Sequence, residues 1–220
     1  MIAPDKIIRS YRKTLSVSID CFGRITVRAP MRYSTERIFS FLQEKESWIV
    51  RKKAEMTGAG TALPPENLDG YTFSLLGKPC TIRLTDGNKI VFDNENSLLY
   101  VPQTNAKARI QKWLKENAKR IFTNLTARFA NEMQTTYKKV SVSSARSRWG
   151  SCSADNTIRY TFRLLYAEKA LIEYVVIHEL AHTKHKNHSP RFWAEVEKYA
   201  PDYKARRKKL KSHGIFMQIF

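Results

Sequence analysis

Apolar and polar positions alternate from about residue 13 to 29, with Leu15, Val17 and Ile19 in one run, Ile25 and Val27 in the next, and Gly23 between them. That period of two predicts a β-hairpin. The period then lengthens. Ile38, Phe39, Leu42, Trp48 and Ile49 recur at near-helical spacing behind Ser34 or Thr35, either of which can cap a helix. Residues 57–70 hold three Gly and two Pro and read as a loop. Four short strands follow at about 71–75, 80–84, 90–92 and 98–101, separated by turn residues such as Asp86-Gly87-Asn88. From Asn105 the positions Ile110, Trp113, Leu114, Ala118, Ile121, Phe122, Leu125, Phe129 and Met133 predict one long amphipathic helix, its aromatics serving as core. Val140 and Val142, then Ile158, Tyr160, Phe162 and Leu164, predict two strands of a second hairpin whose connection carries Arg146 to Cys152. Leu171, Tyr174 to Ile177, Leu180 and Ala181 are apolar enough for a buried helix. The expected class is α+β, with a β-rich region over 1–103 and a second region over 104–220 built from the long helix, the hairpin, the buried helix and a C-terminal helix. No internal repeat is present.

Composition narrows the class. With 220 residues and 42% hydrophobic content the chain can bury a substantial core, which excludes a disordered protein. No apolar run is long enough to cross a bilayer, and the first 20 residues lack an uninterrupted apolar core of a signal peptide, so a soluble, cytoplasmic protein without membrane contact is expected. Cys21, Cys80 and Cys152 are odd in number and far apart, which favours reduced thiols over a disulfide framework or a cysteine metal site.

Charge adds a possible partner. Thirty-nine Lys and Arg against 20 Asp and Glu give a net charge of +19, a field that attracts phosphates and other polyanions. The basic residues are spread over many segments, among them Arg51 to Lys53, Lys112 to Arg120 and Lys204 to Lys211. That spread favours general nucleic-acid affinity over base readout, and solvated helix faces explain it equally well.

Four of the five histidines fall between positions 178 and 188, and His178-Glu179-Leu180-Ala181-His182 is an H-E-x-x-H pattern. Residues four apart share a helix face, so His178 and His182 can present ring nitrogens to one zinc ion. Glu179 lies about 100° around the helix, where a carboxylate flanks the site as a general base without being a ligand. A catalytic zinc takes a third protein ligand and leaves a fourth position for water, whose pKa it lowers to about 7. The candidates for that third ligand are His188, His185, Glu195, Glu197 and Asp202. His188 is favoured because Ser189-Pro190 reads as the cap and first residue of a new helix, placing His188 on the turn that folds back. His185 continues the same helix face, but three ligands along one straight helix would span roughly 10 Å at about 1.5 Å per residue. The spacing from His182 to His188 matches metzincins, yet their glycine position holds His185 and no Met-turn is evident.

Arg148-Trp149-Gly150-Ser151-Cys152, Ile158 to Leu164, Tyr174 to His182 and His188 to Trp193 together closely resemble the YgjP-like metallopeptidase family, relatives of the SprT-like and minigluzincin zinc proteins. Gly23 to Pro30, Trp48-Ile49 and Leu76-Gly77-Lys78 extend the resemblance to the N-terminal half. It implies a zincin-like catalytic domain over 104–220, His178, His182 and His188 as ligands of one zinc ion, Glu179 as the catalytic residue, and a Trp-Gly-Ser-Cys hairpin beside the active-site helix. Two positions depart from the family pattern: Thr161 stands where relatives often carry Asn, and Glu168 where a Pro commonly opens the helix.

The expected function is hydrolysis of peptide bonds in a peptide or unfolded protein. The alternatives are a SprT-like protease acting on DNA-associated proteins and a non-catalytic, zinc-stabilised nucleic-acid-binding module. Tyr174, Tyr199, Tyr203 and His213 are all candidates for oxyanion stabilisation. A sheet edge at the 140–163 hairpin is a candidate surface for pairing with an extended substrate.

Overall fold

The computed structural model describes residues 2–19, 23–57, 64–212 and 220. The chain divides into two compact units, Met1–Gly60 and Thr61–Phe220. This boundary differs from the expected division at 103/104, for a physical reason. The strands of residues 72–102 bury Phe73, Leu75, Ile82, Leu99 and Val101 in the same apolar cluster as the long helix and the H-E-x-x-H helix.

In the first unit, β1 (Lys6–Ser10), β2 (Ser16–Ile19) and β3 (Ile25–Pro30) form a sheet in the order β1-β3-β2. The expected hairpin is the antiparallel pair β2–β3, with Val17 opposite Val27 and Ile19 opposite Ile25. β1, which lacks a clear alternation, pairs parallel to β3. The expected single helix is two, α1 (Thr35–Glu44) and α2 (Glu46–Thr57), meeting at Lys45. Ser34 caps α1 by accepting from the backbone N–H of Arg37 at 3.3 Å. Ile25, Val27, Ala29, Ile38, Leu42 and Ile49 make up the core of this unit.

The second unit begins with β4 (Thr72–Leu75), β5 (Lys78–Thr85), β6 (Val91–Asp93) and β7 (Leu98–Pro102) in the order β4-β5-β7-β6. α3 (Ala106–Glu132) follows, burying Ile110, Leu114, Ala118, Phe122 and Phe129 along one side. β8 (Lys139–Ser143), β9 (Gly150–Cys152) and β10 (Thr157–Thr161) form a third sheet in the order β8-β10-β9. The chain continues through a 3₁₀ turn at Phe162–Tyr166, then α4 (Lys169–Lys184), α5 (Pro190–Tyr199) and α6 (Tyr203–Ser212).

Two details of the third sheet correct the sequence reading. β8 and β10 run parallel, and the hairpin partner of β10 is β9. The tight turn lies at Ser153 to Asn156, where Asn156 adopts φ 60° and the Asp155 carboxylate accepts from Ser153 Oγ and Thr157 N–H. Asn and Asp tolerate and stabilise such a turn, so it closes β9 on β10 and the segment 144–149 must cross over. Phe162 to Leu164, expected in a strand, are in the 3₁₀ turn, where all five residues are buried.

The start of α4 is fixed by a close approach. Leu76 and Gly77 both have positive φ at the β4–β5 turn, and Leu76 N–H donates to the Leu165 carbonyl at 2.7 Å. A Cβ on Gly77 would fall 3.0 Å from the Glu168 Cα. Glu168, at the N-cap without a side-chain cap bond, instead pairs with Lys209 of α6 at 2.8 Å. Its departure from proline thus serves a tertiary ion pair.

Candidate metal centre and active site

α4 is apolar on nearly all sides, burying Leu171, Ile172, Tyr174 to Ile177, Leu180 and Ala181, so it forms inside the core and holds whatever polar groups it carries rigidly. Its end is braced twice. Lys184 Nζ donates to the Met133 carbonyl at 2.7 Å and pairs with Glu195 of α5 at 2.6 Å. The chain then turns through His185 to His188 and re-enters helix at α5, where Ser189 accepts from Phe192 N–H at 3.4 Å and Pro190 occupies the first turn.

This turn brings His178, His182 and His188 together, with one ring nitrogen from each lying within 4.8 Å of the others. Nε2 of His178 and Nε2 of His188 are 3.1 Å apart. Two nitrogens bound to one tetrahedral zinc at about 2.0–2.1 Å would be separated by about 3.3 Å, so this spacing fits shared coordination. His182 Nδ1 is 3.0 Å from the His185 carbonyl. A carbonyl only accepts, so Nδ1 carries the proton and Nε2 keeps its lone pair for a cation. Burial, followed by the neighbouring His182 and His188, drives the His178 ring down to about 3, and burial also lowers His182. Both rings therefore stay neutral near pH 7, the form a metal needs. His188 is exposed, and among the described residues no fourth His, Cys, Asp or Glu joins the group.

The other candidate ligands lie elsewhere. His185 is the residue after α4 and faces the group with its carbonyl. Glu195 is held between Lys184 and Lys198, Asp202 pairs with Arg206 at 2.7 Å, and Glu197 is exposed.

Glu179 is 6% exposed. Its carboxylate lies against Gly150 of β9, where a Cβ would fall 2.6 Å from Oε1 and 2.7 Å from Cγ. Burial pushes this carboxyl up to about 8, with Arg148 pulling the other way. Burial thus makes this carboxylate, in the metal-free protein, a stronger proton acceptor than an exposed one. The direction yields a stability prediction. The folded value lies above the ordinary 4.5, so Glu179 contributes stability below pH 4.5 that is lost as pH rises through about 8. In metal-free protein, Glu179→Gln is expected to melt near the parent at pH 4.5 and several degrees above it at pH 9, at roughly 2–4 °C per kcal/mol. Equal melting temperatures at pH 9 would contradict this.

The sequence reading misses an aromatic wall. Phe192 is fully buried, with ring centroids 4.9, 4.4 and 4.8 Å from His178, His182 and His188. Trp193 stacks on His188 at 5.5 Å and on Tyr203 at 5.2 Å, and the Arg207 guanidinium lies over it at 4.8 Å. The only sequence signal was Phe192-Trp193 directly after the Ser189-Pro190 helix start. Among the oxyanion candidates, Tyr174 packs 5.9 Å from His178, and burial pushes its hydroxyl up to about 12. Tyr203 is taken up by its stack on Trp193, Tyr199 is half-buried, and His213 lies outside the described residues. Cys80 is buried and Cys152 half-buried, with burial pushing both thiols up, which argues against nucleophilic roles.

The family model of the YgjP-like metallopeptidase domain matches residues 13–213. No curated protein matches the chain. Among the solved structures similar to part of it are two metallopeptidase zymogens. The metallopeptidase zymogen abylysin of Pyrococcus abyssi is 26% identical, over 42% of this chain and 93% of that one, with a TM-score of 0.39. The metallopeptidase zymogen jannalysin of Methanocaldococcus jannaschii is 20% identical, over 41% and 91%, with a TM-score of 0.37.

Proposed function

Because the chain belongs to the YgjP-like family of metallopeptidases, we propose that it hydrolyses peptide bonds with one zinc ion held by His178, His182 and His188 and with Glu179 as general base. The observation that carries this reading is the convergence of three ring nitrogens beside a buried carboxylate on one rigid helix. Bound zinc would supply Lewis acidity toward a carbonyl oxygen and a water that ionises near neutral pH. Glu179 accepts a proton from water and later returns it to the leaving amine nitrogen. Phe192 fixes the orientation of all three rings and keeps bulk water from their inner side. The outer edge of β9, unpaired among the described strands, offers backbone groups to an extended peptide.

A second reading draws on the net charge of +19 and on the basic run Lys204 to Lys211 of α6. It holds that the same site acts on proteins associated with DNA. A non-catalytic nucleic-acid module is less well supported, since it gives no use to the buried Glu179 carboxyl beside the three histidines.

Titration of metal-free protein with zinc, followed by calorimetry, tests the ligand set. One ion per chain is expected. His188→Ala should weaken binding by more than the roughly 10–100-fold that follows loss of a hydrogen-bond partner behind a ligand. Uptake unaffected by that substitution would refute the set.

A further inference from the structure

The register of the third sheet sets Ser141, Arg159 and Ser151 side by side across β8, β10 and β9, with Ser143 opposite Thr161 in the next row. Opposed residues point to the same face. The other face carries Val140, Ile158 and Tyr160 into the core, so the outer face is wholly polar here. The segment 144–149 folds over the end of that face and encloses a pocket of about 250 Å³ lined by Ser143, Ser147, Arg148, Ser151, Arg159 and Thr161, with Gly150 in its wall. Three bonds hold the segment in place. Arg163 Nη1 donates to the Ser144 carbonyl at 2.9 Å, Thr161 Oγ1 to the Ala145 carbonyl at 2.8 Å, and Thr161 N–H to the Trp149 carbonyl at 3.0 Å.

Donors predominate in this pocket. Arg159 uses only Nε, toward Ser141 Oγ at 3.3 Å, leaving both terminal amino groups of its guanidinium. The side chains of Arg148, Ser147 and Ser151 have no hydrogen-bond partner among the described residues. No carboxylate lines the pocket. Arg148 also acts electrostatically on Glu179, but with no carboxylate in the pocket lining the two guanidinium groups and the hydroxyls are matched by an anion, and a guanidinium binds a carboxylate with two parallel bonds.

Size and position decide which anion. The volume lies below the roughly 300–1,000 Å³ of sites for free small molecules, and suits one side chain. Gly150 lines the pocket and, toward the other face of the sheet, lies against Glu179, so a single strand residue separates the pocket from the reacting carboxylate. A peptide extended along β9 advances about 3.3 Å per residue, which puts the pocket within about two residues of the bond cleaved. We propose that Arg148 and Arg159 form a specificity pocket for an acidic side chain of the peptide substrate, close to the scissile bond. This inference rests on the metallopeptidase reading and adds its substrate preference.

Binding to the zinc-loaded Glu179→Gln protein, read by fluorescence anisotropy, separates the two claims. The probes are neutral peptides in which a single Glu is walked along the sequence, each with a Gln-matched control, and a labelled oligo-dT. At one register the Glu peptide is expected to bind at least about tenfold tighter than its control, as removal of a charge-paired group implies. Arg159→Gln, an exposed position whose loss spares the core, should erase that difference, and Arg159→Glu should reverse it toward a Lys peptide. Peptides that bind without any charge preference, or a preference that survives Arg159→Gln, would overturn the pocket and leave the peptidase standing. A loss confined to oligo-dT would reassign the pocket to nucleic acid. Failure of every peptide to bind protein shown to hold zinc would overturn both.

Discussion

Gly150→Ala is expected to lower kcat about 100-fold while leaving the fold and the metal affinity in place. Gly150 does not have positive φ, so alanine is compatible with its backbone. The added methyl would, however, fall 2.6 Å from Glu179 Oε1, 2.7 Å from Cγ and 2.9 Å from Cδ. Those distances are far inside van der Waals contact, and the carboxylate must move by about 1 Å, a displacement that can cost 10²-fold in rate. The displaced group is a buried side chain, not backbone, so the loss falls on catalysis more than on stability. Glu179→Gln provides the control. If Gly150 acts only through Glu179, adding Gly150→Ala to that variant causes little further loss, a strong departure from additivity. A drop in kcat of similar size in both backgrounds would show that Gly150 serves another purpose. The measurement is steady-state cleavage beside zinc content and circular dichroism.

How much of this was legible in the sequence depends on the range of each interaction. The H-E-x-x-H site was readable because its geometry is local: four residues make about one helical turn, and Ser189-Pro190 marks where the chain bends back. The closeness of Gly150 to Glu179 was not, since it depends on β9 packing against α4, and nothing in Gly-Ser-Cys states that. Periodicity located β8 and β10, but a period of two carries no direction, so the parallel pairing was misread as a hairpin although Asp155-Asn156 marked the true turn. The β4–β7 strands were found at nearly the right places, while their membership of the second unit's core was hidden, because alternation reveals a buried face and not what covers it. Phe192 shows the same limit. Its residue type fits any amphipathic helix, and only the turn at His185 to His188 places it against three imidazoles. The polar pocket required both the sheet register and the crossover of 144–149, neither of which is encoded within a window of a few residues.

The largest effect expected of any substitution is that of Glu179→Gln. Glutamine keeps the shape and the buried position of the side chain but cannot accept a proton, so a loss of about 10²–10⁴-fold in kcat follows from removal of a general base. Metal affinity should change little, because the three ring nitrogens are untouched and the orientation of His182 is set by the His185 carbonyl. Substrate binding should survive as well, which is why this variant serves as a trap for the peptide experiments above. The loss is therefore in kcat and not in KM, the signature of an interaction made chiefly in the transition state.

Cleavage of a fluorescently labelled unfolded protein by the parent and by Glu179→Gln, each shown by metal analysis to hold one zinc per chain, tests the account most directly. Turnover by the zinc-loaded parent, abolished by chelation and reduced at least about 100-fold in the variant, is the predicted result. Equal turnover by the two zinc-loaded proteins would contradict the assignment of Glu179, and no turnover by either would contradict the assignment of a peptidase with this substrate.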